Sequence, residues 1–574
     1  MKTVLKYLKP FAGRMSVGLS IKIFGTIIEL VLPYILSHIL KNVVQRESIA
    51  QIIYWGILMV ACSLTACICN IVANRMAARV SRNFSENVRR DLFAKTMRLS
   101  ARQTDNFTIP SLESRITTDT YNVHNFVGMM QRMGVRAPIL LIGGILITMI
   151  MDSFLALVMV AVLPIIFVTV YLISRRGVPL YTKVQGSVDR MVRVVREDSQ
   201  GIRVIKALSK TEYEHRRYDK VNANLSKDEK RAGIVMGSVN PIMSFLMNAG
   251  IVAVIALSAS RVADGSSDPE TVVAFMQYFT IISMAMMSVT RIFVMYTKCA
   301  ASAKRISEVL DTPEDLTVKD RSEYPDVDTD YHIIFDGVTF SYNGKRNDLD
   351  NICFSIKKGG SLGVIGATGS GKSTLIKLLL RFYDVASGKI LINGRDIRTM
   401  TETEIYPMIG TVMQQDFLFG GSIEENIRFG RDVTHEEVVS AAKIAQADEF
   451  ISCFPDGYDH PLSQKGTNIS GGQKQRILIA RAIAQKPEIL ILDDSSSALD
   501  YKTDANLRRA LSENFSETTV VTVAQRVSSV KNCDTIIVLD EGKVIGIGKH
   551  EELLESCCEY REISDSQMGG AFVE

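Results

Sequence analysis

Eight consecutive residues, Gly366-Ala367-Thr368-Gly369-Ser370-Gly371-Lys372-Ser373, carry the clearest chemistry in the chain. They fit G-x-x-x-x-G-K-[ST], follow the apolar run Ser361–Ile365 and open a helical stretch, Thr374–Leu380. In that strand–loop–helix setting, successive backbone N–H groups and a helix N-terminus cradle phosphate oxygens. Lys372 would reach the β- and γ-phosphates, and the Ser373 hydroxyl would ligate Mg²⁺. Ile489-Leu490-Ile491-Leu492-Asp493 reads as a buried strand that delivers a carboxylate at its C-terminal end. Beside a phosphate loop, such a carboxylate holds the Mg²⁺ shell. ATP and Mg²⁺ are the expected cofactors.

Between these two motifs stands Ile469-Ser470-Gly471-Gly472-Gln473, followed by Lys474-Gln475-Arg476. Here the sequence resembles the ATP-binding cassette (ABC) transporters, with Ser470–Gln473 matching their signature motif and Ile469 replacing its usual Leu. The resemblance covers essentially the whole chain and implies ATP contacts along Gly366–Thr374. It also implies that Ser470 and the Gly471 and Gly472 amides face a nucleotide held by another subunit. Tyr342, 24 residues before Gly366, matches the aromatic that stacks on adenine. Gln414 fits the position that contacts Mg²⁺ and the attacking water, with Gln415 leaving a one-residue ambiguity. Ser497-Ala498-Leu499-Asp500 resembles the D-loop that crosses to the opposite site. Ser111–Arg115 with Asp119 resembles the first coupling helix; Glu197 with Gly201–Ile205 resembles the run around the second.

Two positions depart from the family pattern. The residue after Asp493 is normally a catalytic Glu, and here it is Asp494. Losing one methylene draws the carboxylate back by more than about 1 Å, while a general base must come within about 2.6–3.2 Å of the proton it takes. The strand Thr519–Val523 leads to Ala524-Gln525-Arg526, where Gln525 stands in place of the family's switch His. An amide can donate to a γ-phosphate but cannot titrate. Together the two changes resemble the degenerate half of heterodimeric multidrug-type exporters. Gln464-Lys465-Gly466, in place of the usual Glu-Arg-Gly, points the same way.

The elements that must position these residues divide the chain in two. Hydrophobic residues make up 47% and charged residues 22%, which excludes wholesale disorder. Mean hydropathy of +0.13 suits neither an average soluble enzyme nor a chain that is all membrane. From Tyr331 to Glu574 there are 26 Lys+Arg against 34 Asp+Glu, a net of −8, while the more apolar remainder carries 40 against 28, a net of +12. A basic apolar half reads as membrane and an acidic mixed half as a soluble domain. Six segments meet the roughly 20-residue requirement for a span: 16–42, 52–73, 129–151, 153–174, 233–259 and 272–296. The first is too long for the apolar core of a signal peptide. The two long loops carry nine and fifteen Lys+Arg (Asn74–Asn125 and Ser174–Arg231), and the short loops hold Arg46 and Arg261. Positive charge stays on the cytoplasmic side, so both termini, both long loops and the soluble domain are expected in the cytosol. The nine Cys have no framework spacing and read as thiols of a reducing compartment.

The expected fold is an α-helical transmembrane domain of six spans followed by an α/β nucleotide-binding domain with a mainly parallel sheet. The expected boundaries are 1–310 for the membrane domain, 311–330 for a Pro- and acid-rich linker, 331–563 for the cassette and 564–574 for a tail. The resemblance implies a half-transporter in the cell membrane that pairs with a second half-transporter, exports small amphipathic or peptide-like molecules, and has no nucleic-acid partner. An exporter-fold importer of metal chelates, a slow homodimer and a non-transporting ATP sensor remain open. Glu29 in span one should face a cavity, a partner subunit or Arg136, because a carboxylate at that depth is costly. Met276, Met284, Met286, Met287 and Met295, with Phe275, Tyr278, Phe279, Phe293 and Tyr296, could form an adaptable wall in span six.

Overall fold

A computed structural model describes residues 1–44, 49–263, 269–414, 416–495 and 498–568. The chain forms two compact units, Met1–Met97 with Ile109–Thr312, and Arg98–Thr108 with Pro313–Glu574.

In the first unit, six helices are long and apolar enough to cross a membrane: Lys2–Val43, Ile49–Met97, Ile109–Met151, Ser153–Ala207, Thr211–Arg261 and Thr271–Leu310. Each contains one of the expected spans. The second covers 49 residues and the fourth 55. At about 1.5 Å per residue they extend well beyond the roughly 30 Å of a hydrocarbon core. Asp152 starts the fourth helix by accepting from the N–H groups of Phe154 and Leu155 at 3.0 and 3.2 Å, which satisfies donors that the first turn leaves open. Small residues let the helices approach closely. A Cβ at Gly144 would lie 2.7 Å from Ile282, and one at Gly250 would lie 2.5 Å from Phe279. Phe275, Tyr278 and Phe279 are fully buried core residues, and the Tyr278 hydroxyl donates to Leu30 O at 2.7 Å. These three aromatics therefore pack helices together and do not line a substrate wall.

Arg115 and Asp119, expected at a coupling helix, have a different role. Arg115 is buried and bonds Arg305 O at 2.6 Å and Glu308 at 3.2 Å. Asp119, fully buried, accepts from Ser302 at 2.7 Å and pairs with Arg305. They fasten the extension of the third helix to that of the sixth. The separate short helix is Ala101–Phe107, and it belongs to the cassette unit. Its capping box is Ser100 with Gln103. Ala101 packs on the cassette core, and Asp105 accepts from the Tyr383 hydroxyl at 3.0 Å. In the second loop, Gly201–Ile205 is part of the continuous helix Ser153–Ala207, and Glu197 pairs with Arg217.

The second unit holds a short pair, β7 Gly421–Ser422 with β8 Pro461–Leu462, and a six-stranded sheet whose strands lie in the order Lys543–Gly548, Thr535–Asp540, Ser361–Gly366, Thr519–Val523, Ile489–Asp493, Ile409–Val412. The strands are β3 Ser361–Gly366, β6 Ile409–Val412, β9 Ile489–Asp493, β10 Thr519–Val523, β11 Thr535–Asp540 and β12 Lys543–Gly548. All pairs are parallel except β11 with β12. Alternate side chains of β9 enter opposite layers: Ile489 and Ile491 one core, Leu490 and Leu492 the other. Burial on both faces is why this strand reads as an unbroken apolar run. A second, antiparallel sheet, β2-β1-β4-β5 (Leu349–Lys357, Tyr331–Phe340, Ser387–Ile392, Arg395–Asp396), adds a layer that the sequence pattern did not separate from the first. A final helix, Cys558–Met568, crosses the boundary expected at residue 564.

Candidate nucleotide site

Register decides which residues meet. Val523 of β10 lies opposite Val364 of β3 and Asp493 of β9, so the carboxyl ends of three parallel strands finish level. Ligands of open parallel sheets bind at that edge. The loops leaving it line one cavity of about 330 Å³, which brings together Thr368, Gly369, Gly371, Lys372, Ser373, Thr374, Gln414, Asp493, Asp494 and Gln525.

The loop's backbone is shaped for phosphate. Gly369 and Gly371 have φ of +86° and +102°, a region that residues with a Cβ rarely enter. A Cβ on Gly371 would also strike Leu349 at 2.7 Å. Left-handed residues next to right-handed ones gather successive N–H groups into an anion-binding concavity. The helix Lys372–Leu379 starts directly after it. Lys372 Nζ donates to the carbonyls of Gly366 and Ala367 at 2.8 Å each. Burial lowers its pKa, against the pull of Asp493 and Asp494. The buried Ser370 hydroxyl has no partner among the described residues. Gly366 ends β3, and Ala367 accepts from Ser370 N at 3.2 Å.

Asp493 is buried, and desolvation pushes its pKa up; a Ser373 hydrogen bond, the Lys372 charge and a Gln414 backbone bond oppose this, while Asp494 adds to it. A carboxylate, a hydroxyl and an amide oxygen together form the hard oxygen set that Mg²⁺ prefers. Asp494 is half-exposed, with its N–H on Val523 O at 2.9 Å. Burial raises its pKa, and Arg526 and Lys372 lower it. Gln525 is exposed beside it, and its carbonyl accepts from Gln567 Nε2 at 2.8 Å. Gln567 Oε1 in turn accepts from Val527 N at 2.8 Å, so the final helix clamps this loop on both sides of Arg526.

Other expected residues lie off the cavity. Tyr342 borders a neighbouring cavity; its hydroxyl donates to Thr374 at 3.3 Å and its ring packs edge-on against Tyr383 and Phe340. Ser470 caps the helix Gly471–Ile483, accepting from Gln473 N at 3.2 Å, while Gln473 Oε1 accepts from Ser470 N at 2.9 Å. Ser470 and Gly471 are exposed. Ala498 packs on the two glycines: a Cβ on Gly471 would lie 4.0 Å from its Cβ, and one on Gly472 would lie 3.1 Å from its carbonyl. Asp500 caps the next helix through Thr503 N at 2.9 Å, a bond that lowers its pKa. Ser497 and Gln415 fall outside the described residues. Arg346, Asn347, Asp348, Glu541 and Gly542 also line the phosphate cavity. They are loop residues with no motif, and only their proximity in the fold reveals them.

Comparison with known proteins agrees with this geometry. Residues 15–286 match the model of the ABC transporter transmembrane region, and residues 349–497 that of the ABC transporter. An uncharacterized ABC transporter ATP-binding protein of Mycobacterium tuberculosis is 32% identical over 99% of this chain and 98% of its own length. The uncharacterized ABC transporter ATP-binding protein YfiB of Bacillus subtilis is 33% identical over 99% of each. The solved structure of a bacterial Atm1-family ABC exporter with ATP bound superposes with a TM-score of 0.81 at 23% identity, covering 98% of this chain and 99% of that one. With six helices long and apolar enough to cross a membrane leading into a phosphate-loop cassette, and relatives aligned from end to end, this chain belongs to the ABC transporter family as a multi-pass, ATP-driven transporter with the exporter-type fold.

Proposed function

We propose that this chain is the degenerate-site half of a heterodimeric exporter. The observation that carries this reading is the presence of Asp494 and Gln525 in the same cavity as Lys372, Ser373 and Asp493. Binding groups are retained there, whereas the base is shortened and the titratable switch is replaced. Gly366–Thr374 would hold the phosphates and Tyr342 would meet the adenine. Asp493, Ser373 and Gln414 would hold Mg²⁺, which neutralises charge that develops on the phosphates. Asp494 stays too far back to accept a proton from an attacking water. Ser470–Gln473 and the D-loop Ser497–Asp500 would complete the partner's site, where turnover is concentrated. Both termini and the cassette face the cytoplasm in this reading, as the charge of the long loops supports. The cargo is a small amphipathic molecule or a peptide.

The purified chain should bind ATP and turn it over slowly. Restoring the family residues with Asp494→Glu and Gln525→His should raise its turnover by tenfold or more, since general-base assistance contributes about 10²–10⁴-fold. Brisk wild-type turnover that Asp494→Asn abolishes would contradict the reading.

A further inference from the structure

Three membrane helices bring four cations to one cavity. Lys22 lies midway along the first helix, Arg132 and Arg136 within the third, and Arg291 midway along the sixth. With Asn74 and the methionines Met129, Met133 and Met295 they line one cavity of about 440 Å³, and no carboxylate lines it. Lys22 is 3% exposed, and its ammonium is held by two amides, Asn70 Oδ1 at 2.7 Å and Asn74 Oδ1 at 3.1 Å. Arg132 Nε bonds the carbonyl of Gly128 at 3.1 Å. Glu29 is committed to Arg136, with Nε to Oε2 at 3.2 Å. That pair opens a narrower slot of about 130 Å³, walled by Met133, Ala137, Leu140, Ile281 and Met284 among others.

Cations at membrane depth are costly unless something neutralises them. A snorkelling lysine would reach for water; Lys22 is instead buried in the bundle. Among the described residues, no carboxylate forms an ion pair with Lys22, Arg132 or Arg291. Glu29 is bonded to Arg136 and acts on Lys22 only through space, one negative charge against four positive, so the cavity carries a surplus of positive charge, flexible thioether walls and an apolar slot beside it.

We propose that this cavity binds an amphiphilic anion, with a phosphate- or carboxylate-type head among Lys22, Arg132 and Arg291 and an apolar body in the slot behind Arg136. The proposal deepens the export reading by naming the class of cargo. Its test reads binding alone, so it is independent of hydrolysis.

The full-length chain in phosphatidylcholine nanodiscs is titrated with radiolabelled dodecyl phosphate, and dodecyltrimethylammonium and dodecyl maltoside serve as competitors of equal chain length. Dodecyl phosphate should bind at least about tenfold more tightly than either, the scale of one charge-assisted hydrogen bond. The double change Arg132→Gln with Arg291→Gln should weaken it by tenfold or more, Arg132→Lys with Arg291→Lys should keep most of the affinity, and Glu29→Gln should strengthen it. Affinity kept by the Lys pair shows that changes at both positions leave the membrane helices folded, and ATP affinity measured in parallel would expose separately a failure of the transporter reading. Loss of binding in phosphatidylglycerol nanodiscs identifies a bilayer lipid as the natural anion, and retained binding identifies a free amphiphile; both uphold the site. Equal affinity for phosphate and ammonium heads, or unchanged affinity in the Gln double variant, overturns it.

Discussion

Asp494 has a φ of +51°, a left-handed conformation that Asp tolerates better than most side chains because its short polar group can bond locally. The shortened carboxylate therefore suits the turn that leaves β9, and in the proposed reading it is the same shortening that withholds it from proton abstraction. Another titratable side chain, His332 on β1, sets a pH limit on the same unit. It is buried, bonded through Nδ1 to Thr519 at 2.6 Å, and 3.6 Å from Glu488. Burial lowers its pKa, against the pull of the Glu488 carboxylate. The unfolded chain then takes up the proton first as pH falls. The cassette should be fully stable above about pH 6.5, the ordinary His value, and lose stability below it until the lowered folded value is passed. Thermal unfolding from pH 7.5 to 5.5 checks this. His332→Asn, which keeps an acceptor for Thr519, should flatten the dependence, and an unchanged slope would argue against His332 as its source. Neither the burial of His332 nor its two partners is visible in the sequence, since Thr519 is 187 residues away.

At the scale of elements, the final helix supports the loop that carries Gln525. Gln567 accepts from Val527 N and donates to the Gln525 carbonyl. Gln567→Ala removes both bonds, each contributing about 0.5–1.5 kcal/mol. Amide exchange at Val527 should then quicken several-fold while exchange in β10 stays the same. If both quicken equally, the helix supports the cassette as a whole and not this loop. A tail at 564–574 is a fair reading of Ser-, Gln- and Gly-containing sequence, because a helix so polar forms only where tertiary packing holds it. The first coupling helix shows a similar limit. Ser111–Arg115 has the family's residue types, but the Ser100–Gln103 capping box and the Asp105–Tyr383 bond assign the short cassette-bound helix to Ala101–Phe107. A seven-residue helix has little periodicity to read, and its docking partner lies 278 residues away.

At the scale of the whole transporter, the proposed reading has the intact signature serve a nucleotide held by another subunit. Gly471 is exposed, and a Cβ there would meet only Ala498, at 4.0 Å. Gly471→Asp should thus fold normally while placing bulk and like charge against the partner's γ-phosphate. In the co-purified pair it should reduce steady-state ATP turnover by tenfold or more, whereas Asp494→Asn should change it little. The reverse ranking would refute the proposed division of labour. The sequence by itself determined the six spans, the phosphate loop, the strand ending in Asp493 and the substitutions Asp494 and Gln525. Those signals are local: a run of apolar residues long enough for a bilayer, or a glycine pattern that only one backbone shape satisfies. Only the tertiary structure decided that Glu29 is taken by Arg136, that Phe275, Tyr278 and Phe279 are packing residues, and that Lys22, Arg132 and Arg291 share one cavity. Which side of a membrane helix faces a neighbour depends on helix rotation and close approach, set by contacts such as Gly144 on Ile282. An apolar helix carries too weak a pattern along its own sequence to fix that rotation.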